Sequence, residues 1–275
     1  MNSGKIGTGC VVVWHSTEAH VEKLRDGLKL LNLERFCPPP RSKYVAMQES
    51  VRQCHGSYKN IIRPLAGRKG FEVKSEEKGE EENQHDHVVS YIFLDDDNVT
   101  NSPYDKGLLD NVLANYANKI GLCSPKDLTS AVADIITKKL NGICLKDGGA
   151  VYWLPGEMVP QLFDVEKKIL EAAPSFQLSV FRHEMTDREK ASVVAVATAE
   201  MAEKARKLTE LVTSGELGTA ALRNRERDCD ELIKLAKYYE SELSVSLAGT
   251  IEAIEAAKVA ASAAAIMISA QEEVR

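Results

Sequence analysis

The sequence has no hydrophobic run long enough to cross a membrane, no Cys-x-x-Cys pair and few aromatic residues, at 6% of the chain. The most apolar late stretch, 259–268, falls far short of the roughly 20 residues that a spanning helix needs. The early apolar run 10–14 is too short for the hydrophobic region of a signal peptide. Six scattered cysteines indicate free thiols in a reducing compartment. We therefore expect a cytoplasmic protein that does not contact a membrane.

Sequence patterns that carry catalytic chemistry are also lacking. The glycine-rich segment 4–9 precedes a strand instead of joining a strand to a helix, so it does not fit a phosphate-binding loop. No Gly-x-Ser-x-Gly motif occurs, and no cysteine is paired in the sequence with a histidine and an orienting carboxylate. His85 and His87 in one cluster and His55 in another give too few ligands for a closed zinc site. We therefore predict no cofactor and no structural metal, and we favour a protein that is not an enzyme.

What the sequence does contain is an uneven charge distribution within an ordinary globular composition. Hydrophobic residues make up 44% of the 275 residues, enough to bury one large core or two smaller ones. Residues 1–75 carry 13 basic and 6 acidic side chains, a net charge of +7, whereas the rest carries 22 and 35, a net charge of −13. This asymmetry predicts an anionic partner for the N-terminal part or head-to-tail self-association. A solvated surface charge without a partner is the alternative.

The spacing of apolar residues predicts an α+β fold in which helix dominates. Residues 1–103 are predicted to form a basic α/β module, 104–182 a small helical segment and 183–275 a long helical hairpin. In the first segment, a β-branched and aromatic run predicts a strand at 88–94. The polar run 75–87, which contains three consecutive glutamates, cannot bury a core and is predicted to be an acidic mobile loop.

The second segment has the predicted order helix, helix and β-hairpin. Leu108 begins an amphipathic pattern that ends at Gly121, and Ser124 followed by Pro125 is a favourable helix start. The glycine-containing turn 146–149 then predicts the hairpin. This order resembles the closing part of a winged-helix domain.

The third segment begins with a capping box, Thr186 to Glu189, and is predicted to be helical almost to its end. Apolar residues at spacings of three and four predict a long antiparallel helical hairpin, or coiled coil, with a break near 214–215. The second helix is predicted over 220–270, with any kink at Gly249. Because this helix is longer than the first one, its end is predicted to contact the chain's own globular part, a second copy or another protein.

Seven basic residues of the first segment form the predicted nucleic-acid-binding set: Arg41, Lys43, Arg52, Lys59, Arg63, Arg68 and Lys69. Tyr44 and Tyr58 lie between them in the sequence. Basic side chains contact phosphates without regard to base sequence, and aromatic rings stack on unpaired bases. The pattern therefore predicts binding of DNA or RNA. The alternative is a solvated face that pairs with the acidic run 76–82.

Three carboxylates that follow the last predicted strand of the first segment keep a second class of function open. Asp95, Asp96 and Asp97 would suit a Mg²⁺ ion at a strand end. Glu72 and Lys74, on the neighbouring predicted strand, would complete such a site. This alternative is a metal-dependent nucleic-acid-processing enzyme. Our main interpretation is a non-catalytic scaffold that forms a homo-oligomer, or binds a protein partner, through its C-terminal helices and binds nucleic acid through its N-terminal module.

Overall fold

The computed structural model describes residues 8–55, 60–78, 84–95, 98–146, 151–213, 218–243 and 245–273. The chain is a mixture of helix and sheet with far more residues in helices than in strands, which confirms the predicted dominance of helix. Its residues divide into two compact units, one comprising Met1–His15, Val132–Glu166 and Gln177–Arg275, the other Ser16–Ala131 and Lys167–Phe176. We call the first the bundle unit and the second the meander unit. Their boundaries differ from those of the three predicted segments.

Helices and strands are mixed along the sequence. The helices are α1 (Val21–Lys29), α2 (Lys43–His55), α3 (Lys106–Lys119), α4 (Pro125–Lys139), α5 (Val159–Ala172), α6 (Asp187–Thr213), α7 (Thr219–Leu243) and α8 (Ala248–Glu273). The strands are β1 (Thr8–His15), β2 (Ala19–His20), β3 (Asn60–Pro64), β4 (Gly70–Lys78), β5 (Gln84–Asp95), β6 (Asn98–Ser102), β7 (Leu122–Cys123), β8 (Ile143–Cys144), β9 (Val151–Pro155) and β10 (Gln177–Glu184).

The meander unit is organised around a four-stranded antiparallel sheet in which β3, β4, β5 and β6 pair in sequence order. Successive side chains of a strand point to opposite faces, so each strand contributes to both faces of the sheet. On the inner face, α2 and α3 pack over a core of apolar side chains: Ala46, Met47, Val51, Phe71, Val73, Ile92, Leu94, Val99, Val112 and Tyr116. The predicted strand 88–94 is confirmed as part of β5.

The prediction of a loop at 75–87 was wrong for the part of it that the structure describes. β4 and β5 continue through this stretch as paired strands, from Ser75 opposite His87 to Lys78 opposite Gln84. The centre of the stretch, 79–83, lies outside the described residues. Antiparallel pairing satisfies backbone hydrogen-bonding groups without needing an apolar face. A polar sequence can therefore extend a sheet whose core lies elsewhere.

The bundle unit contains a second four-stranded antiparallel sheet, in the order β10, β1, β9, β8. The predicted hairpin is present as β8 and β9, while the turn residues 147–150 lie outside the described part of the chain. This hairpin does not stand alone as a wing, because β9 also pairs along β1. The winged-helix resemblance is therefore not confirmed.

The helices α6 and α7 form the predicted C-terminal helical hairpin. α6 begins at the predicted capping box. The Thr186 amide donates a hydrogen bond to a Glu189 carboxylate oxygen at 2.7 Å, and the Glu189 amide donates to Thr186 Oγ1 at 3.3 Å. Coiled-coil packing between the helices stays a prediction. The prediction of one helix over 220–270 was wrong, because α7 ends at Leu243 and α8 begins at Ala248.

The break between α7 and α8 comes before Gly249, the predicted site of a kink. The Leu247 amide donates a hydrogen bond to a carboxylate oxygen of Glu240 at 2.6 Å, and the Leu247 side chain is buried. The carboxylate satisfies a backbone group that the end of a helix leaves without an intrahelical partner. Burial of the leucine stabilises the turn.

The three C-terminal helices share a core that runs along the bundle in layers. The layers contain, in order along α6, Met201 with Tyr239 and Leu247, then Leu208 with Cys229 and Ile254, then Val212 with Leu222 and Ala265. Residue numbers rise together along α6 and α8 and fall along α7. α6 and α8 are therefore parallel, and α7 is antiparallel to both. The end of the chain after Gly249 thus packs on helices of its own unit.

Candidate nucleic-acid interface

The candidate site is the outer face of the meander sheet, on the opposite side from α2 and α3. Strand alternation assigns to it the residues that lie between the buried ones. We define the outer sheet face by Arg63, Arg68, Glu72, Lys74, Tyr91, Phe93 and Asp95. Arg68 and Lys69 belong to the turn that joins β3 to β4. The outer sheet face therefore combines aromatic rings with charges of both signs.

Two aromatic rings lie side by side at the centre of this face. Tyr91 and Phe93 are two residues apart on β5, and their ring centroids are 6.3 Å apart with planes inclined by only 15°. Both side chains are partly exposed. Gly70 lies opposite Phe93 in the register, where an added Cβ atom would come within 3.2 Å of the Phe93 ring and 2.7 Å of a backbone oxygen. Glycine at this position therefore leaves room for the Phe93 ring and the neighbouring backbone.

Arg68 covers the Phe93 ring. Its guanidinium carbon is 3.9 Å from the ring centroid, which is the geometry of a cation–π contact. The same guanidinium pairs with both carboxylate oxygens of Asp95, with Nε at 3.2 Å from Oδ1. This hydrogen bond raises the pKa of Arg68. Arg68 and Asp95 are each about half exposed, at 51% and 45% of their side-chain surface. The pair is therefore open to solvent and to a competing anion.

The other charges of the outer sheet face are less exposed at its centre than at its edge. Lys74 Nζ lies 3.4 Å from a Glu72 carboxylate oxygen, and both side chains are about one-fifth exposed. Arg63 lies opposite Glu72 across the β3–β4 pair and is exposed. The face thus presents basic groups along one side of the aromatic rings.

Of the seven predicted binding residues, the structure places Arg63 and Arg68 on this face. Lys69 lies opposite Leu94, whose side chain faces inward, and three others lie elsewhere in the described residues. The Arg41 side chain is only 4% exposed and lies 2.6 Å from a Glu18 oxygen and 3.0 Å from a Glu49 oxygen. Arg41 is therefore held inside the meander unit. Lys43 and Arg52 are exposed on α2, which packs on the inner face. Lys59 lies outside the described residues.

The structure also changes which aromatic residues accompany the basic ones. Tyr44 packs inward, with its ring centroid 5.2 Å from that of Phe71, and Tyr58 lies outside the described residues. Sequence reasoning missed Tyr91 and Phe93 as site residues. Their spacing of two within a predicted strand was the available signal, since it places both on one face.

The alternative metal site has little support in the described residues. Asp95 is paired with Arg68, and Asp96 and Asp97 lie outside the part of the chain that the structure describes. Glu72, the other predicted carboxylate, is paired with Lys74. Within the described residues, no group of three or more histidine, cysteine, aspartate or glutamate side chains could hold a metal ion. The metal-dependent enzyme therefore stays a prediction from sequence.

A second surface of interest lies on α8. Ala256, Val259, Ala263, Ile266 and Met267 fall along the side of the helix that faces away from the buried residues, and we call them the α8 outer stripe. The Val259 and Ile266 side chains are 68% and 71% exposed. The nearby Lys258 is turned toward the bundle, with its Nζ 2.7 Å from an Asp230 oxygen.

Among the described helices, none combines the length and apolar character needed to cross a lipid bilayer.

The chain belongs to a family of unknown function, DUF6744, whose model matches residues 12–272. No curated protein and no solved structure matches the chain.

Proposed function

We propose that this member of the DUF6744 family is a non-catalytic interaction protein that binds nucleic acid through the outer sheet face and associates through its C-terminal helices. The single observation that carries the proposal is the composition of the outer sheet face. Basic side chains border two aromatic rings there, on a sheet whose helices pack on the opposite side. Phosphates bind the basic groups and release counterions, which gives affinity for nucleic acid of any sequence.

The experiment that tests nucleic-acid binding compares two sets of neutralised arginines and lysines. Fluorescence anisotropy with labelled oligonucleotides measures the affinity of the full chain at several salt concentrations. The double variant Arg63→Ala, Lys74→Ala is expected to bind more weakly and to reduce the slope of log K against log salt by about 2. The double variant Lys43→Ala, Arg52→Ala, on α2, removes the same number of exposed charges from outside the face and is the matched control.

Two results would contradict the proposal. One is the absence of binding by the wild-type chain at low salt to single-stranded or double-stranded oligonucleotides. The other is an equal loss of affinity in Lys43→Ala, Arg52→Ala and in Arg63→Ala, Lys74→Ala, because the binding would then follow net charge and not the outer sheet face.

For the C-terminal helices, we propose that the α8 outer stripe contacts a second copy of the chain. The stripe carries no charged residue between Ala256 and Met267 on its exposed side, and its larger side chains stay exposed after α8 has packed on α6 and α7. Burial of this apolar area would favour association. Knobs-into-holes packing of the coiled-coil type within the bundle is supported by the repeat of Val194, Met201 and Leu208 at intervals of seven along α6.

Light scattering of the full chain tests this association. We expect a dimer for the wild type and a monomer for Ile266→Glu, which puts a charge on the stripe. Ala202→Glu places the same charge on an exposed position of α6 and should leave the mass unchanged. A truncation after Leu247 is unsuitable because it would remove the buried Ile254 from the core. A monomeric wild type would end this part of the proposal.

The cysteines bear on the compartment in which the protein works. All six lie among the described residues, at positions 10, 37, 54, 123, 144 and 229, and none of them forms a disulfide there. Burial raises the pKa of the Cys10 thiol to about 11, which keeps it protonated and unreactive at neutral pH. Free, protonated thiols support a reducing compartment such as the cytoplasm.

A further inference from the structure

We infer that the outer sheet face binds single-stranded nucleic acid by stacking unpaired bases on Tyr91 and Phe93, with Arg68 passing from Asp95 to the ligand's phosphate. This inference rests on the proposed function, since it names the kind of nucleic acid that the same face binds. The bases are contacted directly, and Arg68 changes partner when the ligand binds. The basic residues alone imply neither of these features.

The geometry of the two rings supports contact with bases. Tyr91 and Phe93 are nearly parallel. Each ring can stack on one of two neighbouring bases, the Phe93 ring once the Arg68 guanidinium has moved away from it. Stacking on an aromatic ring tolerates any base, because every base has a π face. Rings buried to fill a core would pack against helices, as Phe71 does with Tyr44 on the inner face. The outer rings are instead partly exposed, beside basic residues.

The same geometry disfavours a duplex as the ligand. In a duplex the bases are already stacked on each other, and a flat sheet cannot reach their faces. A paired two-stranded ribbon can enter the major groove. The extension of β4 and β5 is such a ribbon, but its sequence includes Glu76, Glu77 and Asp86. Carboxylates repel the phosphates that line the groove.

Arg68 is positioned to respond to the ligand. It lies over the Phe93 ring, where its half-exposed ion pair with Asp95 holds it. In this arrangement Arg68 covers one face of the ring, and Asp95 occupies the guanidinium. Exposed ion pairs of this kind contribute little to stability and exchange readily. A phosphate offers the guanidinium the same bidentate geometry as a carboxylate. A base can stack on the guanidinium plane or on the ring beneath it.

The test measures the affinity of the full chain for three ligands: single-stranded DNA, single-stranded RNA and duplex DNA of one length. The wild type is expected to bind the single strands more tightly than the duplex. Phe93→Ala should weaken single-strand binding about tenfold, the size expected for the loss of one stacked base. Phe93→Leu keeps an apolar side chain over Gly70 and removes only the ring, so it should show the same loss without a change in folding. Comparison of the DNA and RNA arms identifies which single strand is preferred.

The matched control is Phe181→Ala. Phe181 lies on β10 of the bundle unit and is 57% exposed, so it is an exposed aromatic residue outside the outer sheet face. Its removal should leave all three affinities unchanged. Asp95→Asn tests the role of Arg68 in the opposite direction. It removes the competing carboxylate and should tighten single-strand binding, whereas Arg68→Ala should weaken it.

The outcomes separate this inference from the proposed function. If Phe93→Leu binds single strands as well as the wild type does, while Arg63→Ala, Lys74→Ala is weakened, the stacking inference is wrong and the proposed function stands. Equal affinity of the wild type for duplex and single strands would also overturn the stacking inference. If the wild type binds none of the three ligands, the proposed function fails and this inference fails with it.

Discussion

The two faces of the meander sheet are built from the same strands, yet they give the same residue type different roles. Phe71 on β4 is fully buried under α2 and α3, where it contacts Tyr44. Phe93 on β5 is partly exposed and carries the Arg68 guanidinium on its ring. Aromatic residues in a strand therefore do not by themselves indicate a binding site. The face that the helices leave uncovered decides which of them can meet a ligand.

The largest effect that tests this comparison is on stability. Phe71→Ala is expected to lower the free energy of unfolding by about 3–5 kcal/mol, because it removes a fully buried ring and leaves a cavity. Phe93→Ala should cost about 1 kcal/mol or less, since its side chain is only partly buried. Hydrogen–deuterium exchange of the β4 and β5 amides measures both changes. Both tryptophans, Trp14 and Trp153, belong to the bundle unit, so their fluorescence does not report on this sheet.

An equal loss of stability in Phe71→Ala and Phe93→Ala would contradict this difference between the two faces. It would show that the outer rings support the fold as much as the inner ones do. The partial exposure of the outer rings would then no longer indicate a role in binding.

The same contrast between a covered and an uncovered side occurs on α8, and it gives the next largest effect. Ile254 is fully buried between α6 and α7, and Ile266 is 71% exposed. We expect Ile254→Ala to cost about 2–4 kcal/mol and Ile266→Ala to change stability by about 0.5 kcal/mol at most. Urea unfolding followed by tryptophan fluorescence measures both, because Trp153 packs in the bundle core. A large loss for Ile266→Ala at concentrations where the chain is monomeric would contradict the exposed position of the stripe.

The strand that carries the outer rings could be predicted from sequence, but the roles of its residues could not. The apolar run 88–94 indicated a strand, and β5 confirms it. Alternation shows that Tyr91 and Phe93 share a face, without showing which face the helices cover. Ser90 is buried with Ile92 on the inner side, although hydropathy alone would have placed it outside. The deciding contacts come from α2 and α3, which are distant in sequence from one another.

Local hydrogen bonds explain where the sequence misled. The spacing of apolar residues continues through 243–254 as it would in a single helix. Gly249 is the one residue of this stretch of sequence with a strongly unfavourable helix propensity. The chain turns earlier because the Glu240 carboxylate binds the Leu247 amide and Leu247 enters the core. The spacing of apolar residues predicts which side chains are buried. It does not predict whether they lie on one continuous helix or on two helices joined by a turn.

The smallest expected effect concerns pH and again separates buried from exposed positions. His55, the last residue of α2, is buried, and desolvation lowers its pKa from the ordinary 6.5. A histidine with a lowered pKa in the folded state binds fewer protons there than in the unfolded chain. Its contribution to stability is therefore present above pH 6.5 and is lost as the pH falls below that value. The urea midpoint, followed by circular dichroism, should accordingly fall between about pH 7.5 and about pH 5.5, and His55→Gln should reduce that fall. An identical fall in His55→Gln and the wild type would mean that other groups cause the pH dependence, and that burial at the end of α2 does not control the protonation of this side chain.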